Sequence, residues 1–279
     1  MRHIDQRDVR CAPVLVGRMM AQINGQSYPL TGKSNFISLP PYAEYKVELM
    51  NDKNSEDSVD IVTPSSTHAD FALRAIARGR DVVCEKPLAA TAEIAATVAQ
   101  AAVAAGVRLF PAHVVRYMGE YRRIKQGIDA GRIGTVAVQR FSRSGSAPQT
   151  PWFFSESTGG GLIRDLMIHD IDQAIWFAGP VAAVYAVQNP PTVDDRVPAP
   201  VTSHVVLTHR SGVISHIHGS WVAPGMPFRT SVEVAGSEGR LRYDSAEDHT
   251  LRTDAVLDRA TADYLPPMSP EESPYYAEI

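Results

Sequence analysis

Hydrophobic and polar positions follow two rhythms along this chain. Between residues 59 and 111, short apolar runs alternate with stretches of helical length. Val59-Asp60-Ile61-Val62 has the form of a buried parallel strand. Thr63-Pro64 ends it, Ser66 or Thr67 can cap a helix from His68 to Arg78, and Gly79 closes that helix. Asp81-Val82-Val83-Cys84 is the next strand, with Glu85-Lys86-Pro87 at its carboxyl end. Thr91 to Ala105 is an alanine-rich helix stopped by Gly106, and Val107 to Pro111 is a further strand. Strand and helix in alternation, joined by short links, predict a Rossmann-like doubly wound parallel sheet of the α/β class. Such sheets bind ligands beyond the carboxyl ends of their strands, which groups Thr63-Pro64, Glu85-Lys86 and His113 around one crevice.

The rhythm then changes. Glu120 to Ala130 reads as a helix, Gly134 to Ser144 as an alternating strand, and strands dominate from Val181 onward. His204 to Thr208 and Val213 to Gly219 flank a Ser211-Gly212 turn, and Ser231 to Val234 is expected to pair with Arg240 to Tyr243. The expectation is a second, α+β domain with a mostly antiparallel open sheet, divided from the first near residue 116 (1–116 and 117–279). Residues 1 to 58 say least. Pro13 to Gly17 could be a strand, Phe36 to Pro41 a loop and Tyr42 to Met50 a helix. Gly32-Lys33-Ser34 lacks the earlier glycine of a phosphate loop, since residue 27 is Ser.

Between the two rhythms lies Gly159-Gly160-Gly161 followed by a Pro-free run to Gly179. As a helix it places Asp165, His169 and Asp172 within an arc of about 60° at 100° per residue. Ile163, Met167, Ile171, Ala174 and Ile175 fall on the other side, the expected buried face. The polar stripe fits either a solvated His–Asp contact or a proton-handling site, because an imidazole titrates near neutrality and a carboxylate can fix its tautomer. A metal reading lacks further ligands, and none is assigned. His216 and His218 share one sheet face, which fits an exposed or subunit-facing surface better than a metal site.

Composition narrows the function classes. With 279 residues, 44% hydrophobic and 21% charged, the chain can fill two globular cores. A net charge of −4 gives no footprint for nucleic acid. Cys11 and Cys84 suggest reduced thiols. No run has the length of a membrane span, and Met1 to Arg10 is too polar for a signal peptide, so a cytoplasmic protein is expected.

Three motifs in order carry a resemblance: Val59 to Pro64 with His68, then Cys84-Glu85-Lys86-Pro87-Leu88-Ala89, then Gly159-Gly160-Gly161 with Asp165, His169 and Asp172. Together with Glu233 to Leu241, they resemble the Gfo/Idh/MocA family of glucose–fructose oxidoreductases and inositol dehydrogenases. The resemblance implies an N-terminal NAD(P)-binding domain and a C-terminal sheet that forms a homo-oligomer. It also implies hydride transfer between nicotinamide and a sugar, inositol or related polyol. Carried over by position, Lys86 would hydrogen-bond the reacting hydroxyl, His169 would be the general acid/base, and Asp165 would bind substrate and tune His169. Thr63, Pro64, His68, Glu85 and Lys86 would serve NAD or NADP; Lys86, His113, Asp165 and His169 would meet the substrate.

The sequence departs from the family pattern in two places. Residues 1 to 58 hold no Gly-x-Gly-x-x-Gly, and the chain stops at Ile279 where relatives continue into a further helix, which suggests a divergent, shortened or inactive relative. Two alternatives therefore stand beside the dehydrogenase: a non-catalytic sugar- or nucleotide-binding relative, and an NAD-assisted glycoside hydrolase.

Overall fold

The computed structural model describes residues 58–247 in full. Outside them it describes six backbone strands: β1 (Arg10–Ala12), β2 (Met19–Ile23), β3 (Gln26–Leu30), β4 (Val47–Asn51) and, after the described core, β14 (Thr250–Ala255) and β15 (Asp258–Tyr264). The strand expected at Pro13–Gly17, the loop at Phe36–Pro41 and the Gly32-Lys33-Ser34 run lie outside the described residues. Two compact units result. One comprises Met1–Ala112 with Gln149–Trp152 and Ser157–Gly159; the other comprises His113–Pro148, Phe153–Glu156 and Gly160–Ile279.

In the first unit, β5 (Val59–Val62), β6 (Val82–Glu85) and β7 (Leu109–Ala112) are parallel and lie in sequence order. β1 closes the β5 edge in the antiparallel sense, with Cys11 opposite Ile61. The described sheet is thus one wing of a doubly wound sheet. A parallel neighbour on that edge would need a helical crossover, and between β1 and β5 the described elements are instead β2, β3 and β4, paired antiparallel. This also corrects the helix expected at Tyr42–Met50: Val47–Asn51 is a strand whose Leu49 faces Ala21 of β2. Pairing with a neighbour overrides the helical preference of Glu48, Leu49 and Met50.

Helices α1 (His68–Ile76) and α2 (Ala92–Ala105) cover one sheet face. Alternation along the strands sends Val59 and Ile61 of β5, and Val82 and Cys84 of β6, into a core with Phe71, Ala72, Ala75 and Ile76 of α1 and Val98 and Ala102 of α2. Thr91 caps α2 by accepting a hydrogen bond from Ile94 N, and Gly106 ends it in the left-handed region at φ 68°.

The second unit is a mixed sheet with helices on one face. Its helices are α3 (Gly119–Asp129) and α4 (Ile168–Ala178), the latter preceded by a π-helical segment, Leu162–Met167. Its remaining strands are β8 (Val136–Ser146), β9 (Val181–Asn189), β10 (Val201–His209), β11 (Ile214–Val222), β12 (Arg229–Gly236) and β13 (Gly239–Asp244). The order is β15-β14-β13-β12-β8-β11-β10-β9, antiparallel throughout except for β8 beside β11. Tyr121, Ile124, Phe141, Leu162, Met167, Phe177, Ile217, Trp221, Val232 and Leu241 form the core between sheet and helices. Gly219 makes room for the helix side: a Cβ there would sit 2.3 Å from Met167 Cγ. The other sheet face leaves Tyr185, Val187, His204, Ile214 and His216 exposed.

Candidate functional site

In the first unit, parallel strands deliver Thr63-Pro64 after β5 and Glu85-Lys86 at the end of β6 to the same edge. The turn after β5 is tight. Thr67 N donates to Pro64 O at 2.8 Å, and the Thr67 hydroxyl lies 2.7 Å from Thr63 Oγ1 and 2.8 Å from Pro64 O. Thr67 therefore braces the turn, and its side chain makes no capping bond to α1, contrary to the simple cap expected there. His68 begins α1 and is 1% exposed. Its Nδ1 lies 2.8 Å from Pro87 O and its Nε2 lies 2.7 Å from Thr63 O. Lys86 is half-buried, and its backbone N–H donates to Glu85 Oε2 at 3.1 Å.

The electrostatics of this edge are unfavourable to negative charge. By strand alternation, Asp60 and Glu85 share the sheet face turned away from the α1–α2 core. Burial first, and the Glu85 carboxylate second, push the Asp60 carboxyl up to about 6. Burial, with Glu85 and Asp60 adding to it, pushes the Cys84 thiol up as well, so Cys84 is a packed neutral group.

In the second unit, Gly161 shapes the start of the helix. Its φ of 62° belongs to the region that favours glycine, and a Cβ there would lie 2.7 Å from Val197 Cγ2. The π segment carries Asp165 and α4 carries His169, both half-buried. The π turn resets the phase expected from a uniform 100° per residue. The buried positions are Leu162, Met167, Asp170, Gln173, Ala174 and Phe177, the first two five residues apart. Of the expected apolar face, only Met167 and Ala174 are buried, and Ile175 is exposed.

The same shift exposes what sequence reasoning missed. Asp170 is fully buried and takes a two-point contact from Arg143 of β8: Nε donates to Oδ2 and Nη2 to Oδ1, both at 2.8 Å. Arg143 Nη2 also donates to the Tyr121 hydroxyl at 3.3 Å. A signal was present in the strand alternation, which puts Gln139, Phe141 and Arg143 on one inward-facing side; a buried arginine calls for a buried carboxylate. Asp172, grouped with Asp165 and His169 in the sequence reading, is instead held by Arg116 through two contacts of 2.7 Å. His113 Nδ1 lies 3.8 Å from Asp172 Oδ2, so His113 sits in this cluster of the second unit. Arg116 stacks over Trp176 at 5.5 Å, which further fixes α4.

Chemically, the first unit offers an ammonium, a hydroxyl and carbonyl groups on a strand-end edge. The second offers an imidazole and a carboxylate on a helix locked to its sheet by a buried ion pair. Among the described residues no group of three His, Cys, Asp or Glu is placed to hold a metal ion, and no helix is long and apolar enough to cross a membrane.

Comparison with known proteins adds to this. Residues 24–113 match the family described as "Oxidoreductase family, NAD-binding Rossmann fold", and residues 121–242 match "GFO/IDH/MocA C-terminal domain". A 1,5-anhydro-D-fructose reductase of Ensifer adhaerens is 33% identical over 199 residues, 70% of this chain and 58% of that protein. A myo-inositol 2-dehydrogenase of Thermotoga maritima is 28% identical over 218 residues, 77% of this chain and 64% of its own length. The chain thus spans about three-fifths of the length of these curated relatives. Among solved structures, GenD2 from gentamicin A biosynthesis in complex with NAD superposes with a TM-score of 0.61 at 31% identity, over 66% of this chain and 53% of that one.

Proposed function

This chain belongs to the Gfo/Idh/MocA oxidoreductase family, and from that membership we propose that it moves a hydride between NAD or NADP and a carbinol carbon of a sugar, inositol or related polyol. The observation that carries the reading is the order of the three motifs, with Lys86 at a strand-end edge and Asp165 and His169 on one braced helix. The named relatives, a sugar reductase and an inositol dehydrogenase, support the substrate class. Residues 1–116 would be the cofactor domain and residues 117–279 the substrate domain.

The described residues fit the nicotinamide end of a dinucleotide. Thr63, Pro64, Glu85 and Lys86 line a parallel-strand edge of the kind that receives it. When bound, nicotinamide supplies the hydride acceptor or donor. The protein's task is then the proton. Oxidising a carbinol requires the hydroxyl proton to leave as the carbonyl forms. Lys86 stabilises the developing alkoxide, His169 Nε2 or Nδ1 takes the proton, and Asp165 orients the ring.

The test is reduced-nicotinamide formation over a panel of inositols and sugars, with His169→Ala lowering turnover by about 10²- to 10⁴-fold. Activity unchanged in that variant would remove His169 as the base. A second reading is favoured by the lack of Gly-x-Gly-x-x-Gly in residues 1–58: a relative that binds sugar or nucleotide without turnover. Nucleotide binding by calorimetry with no product from any polyol would support it. The exposed face bearing Tyr185, Val187, Ile214 and His216 supports a homo-oligomer, and a monomeric mass by light scattering would exclude one.

A further inference from the structure

The His68 ring has acceptors on both sides. Thr63 O and Pro87 O stand 2.7 and 2.8 Å from its two nitrogens, inside a site where the residue is 1% exposed. A carbonyl oxygen can only accept. A neutral imidazole carries one N–H, so one nitrogen would face a carbonyl lone pair with its own lone pair, in a ring almost closed off from solvent. Imidazolium donates from both nitrogens and satisfies both partners, and hydrogen bonds from a charged donor are the stronger kind.

We infer that His68 is held as an imidazolium that staples the Thr63-Pro64 turn to the segment after β6. This makes it a positioning residue for the edge that carries Glu85 and Lys86. Its link to the cofactor rests on the oxidoreductase reading above; the staple itself does not. The two carbonyls belong to segments 24 residues apart in sequence, Thr63 and Pro87, and the one ring meets both. The ionisable groups on the elements packed around α1 are Asp60 of β5, Cys84 and Glu85 of β6, Lys86 beyond it, Glu93 of α2, and Asp70 and Arg74 of α1 itself. Asp60 and Glu85 lie on the sheet face turned away from α1, so the two carbonyl acceptors carry the case for the cation.

The ring can be read directly. In the full chain labelled with ¹⁵N-histidine, a long-range ¹H–¹⁵N spectrum at about pH 8, above the ordinary histidine range, should show one ring with both nitrogens protonated, assigned by its loss in His68→Asn. A His68 ring with one bare nitrogen overturns the proposal. Amide hydrogen exchange in His68→Asn should quicken in both the 63–67 and 85–89 segments; quickening in one alone also overturns it. NADH affinity, followed by fluorescence, should fall on the order of 10- to 100-fold in the variant. Unchanged affinity with both segments loosened would overturn the positioning role. A wild-type chain that bound neither NADH nor NADPH would instead defeat the oxidoreductase reading, with the ring spectrum and exchange data still deciding the staple.

Discussion

The edge of β5 and β6 and the helix of the second unit handle carboxylates in opposite ways. On α4, Asp170 and Asp172 each meet a guanidinium in a two-point contact, from Arg143 and Arg116. In the first unit, Asp60 is half-buried on the same sheet face as Glu85, and both burial and that neighbour disfavour its charge. Paired charges give the helix a fixed position on its sheet. Like charges held together near a strand-end edge lower stability and are the kind of arrangement found where a protein works on a ligand. The difference locates rigidity in the second unit and tuned electrostatics in the first.

The largest effect should come from breaking the buried pair. Arg143 and Asp170 have side chains 4% and 0% exposed, so removing either partner strands a charge in the core. Asp170→Ala should lose about 3–5 kcal/mol of unfolding free energy, read by urea denaturation. The double replacement Arg143→Met with Asp170→Leu should recover most of it, because two apolar groups leave no charge stranded. A single variant as stable as wild type would mean that the pair does not brace α4, and the contrast between the units would fail.

The first unit should answer in the opposite direction. Asp60 holds its proton more tightly in the folded chain than in the unfolded one, since its folded value is raised from 3.8 to about 6. Below about pH 4 both states are protonated and the group contributes no difference. As pH rises to about 6 the unfolded chain ionises first, and above that the fold carries the full cost of the buried charge. Asp60→Asn, a neutral mimic, should therefore stabilise the protein by up to about 3 kcal/mol above pH 6, with the gain vanishing near pH 4. Denaturant titrations at both ends of that window decide it. A gain that is the same at pH 4 and pH 8 would place the effect in packing and not in charge.

How much of this could be read from the sequence follows from the length scale of each signal. Local rules found β5, β6, α2 with its Gly106 stop, and the hairpin of β12 and β13, because helix stops and alternation act within a few residues. The β4 strand was missed because Glu48, Leu49 and Met50 favour a helix locally and only the long-range partner β2 makes them a strand. The face of α4 was misjudged because one π turn, invisible to a uniform period, moves Asp170 into the core and sends Asp172 to Arg116. The candidate residues Lys86, Asp165 and His169 are singled out by motif order. The arginines that hold the helix are not, since an ion pair between a strand and a helix 27 residues apart leaves no mark on local spacing.

The smallest expected effect isolates burial from geometry. Asp70 and Arg74 on α1 form an Arg–carboxylate contact much like that of Asp170 and Arg143: Nε lies 3.2 Å from Oδ1, and Nη2 lies 2.9 Å from Oδ2. The ions are the same, but these side chains are 60% and 47% exposed. Water already solvates both groups, so removing one leaves nothing stranded, and salt screens what attraction remains. Asp70→Asn should cost only about 0.3–0.5 kcal/mol, the range for an exposed i,i+4 pair, and less in 1 M salt. Set against the Asp170 variant, that is about a tenfold difference for nearly the same fork. A cost for Asp70→Asn comparable to that for Asp170→Ala would show that contact geometry, and not desolvation, governs the charges in both units.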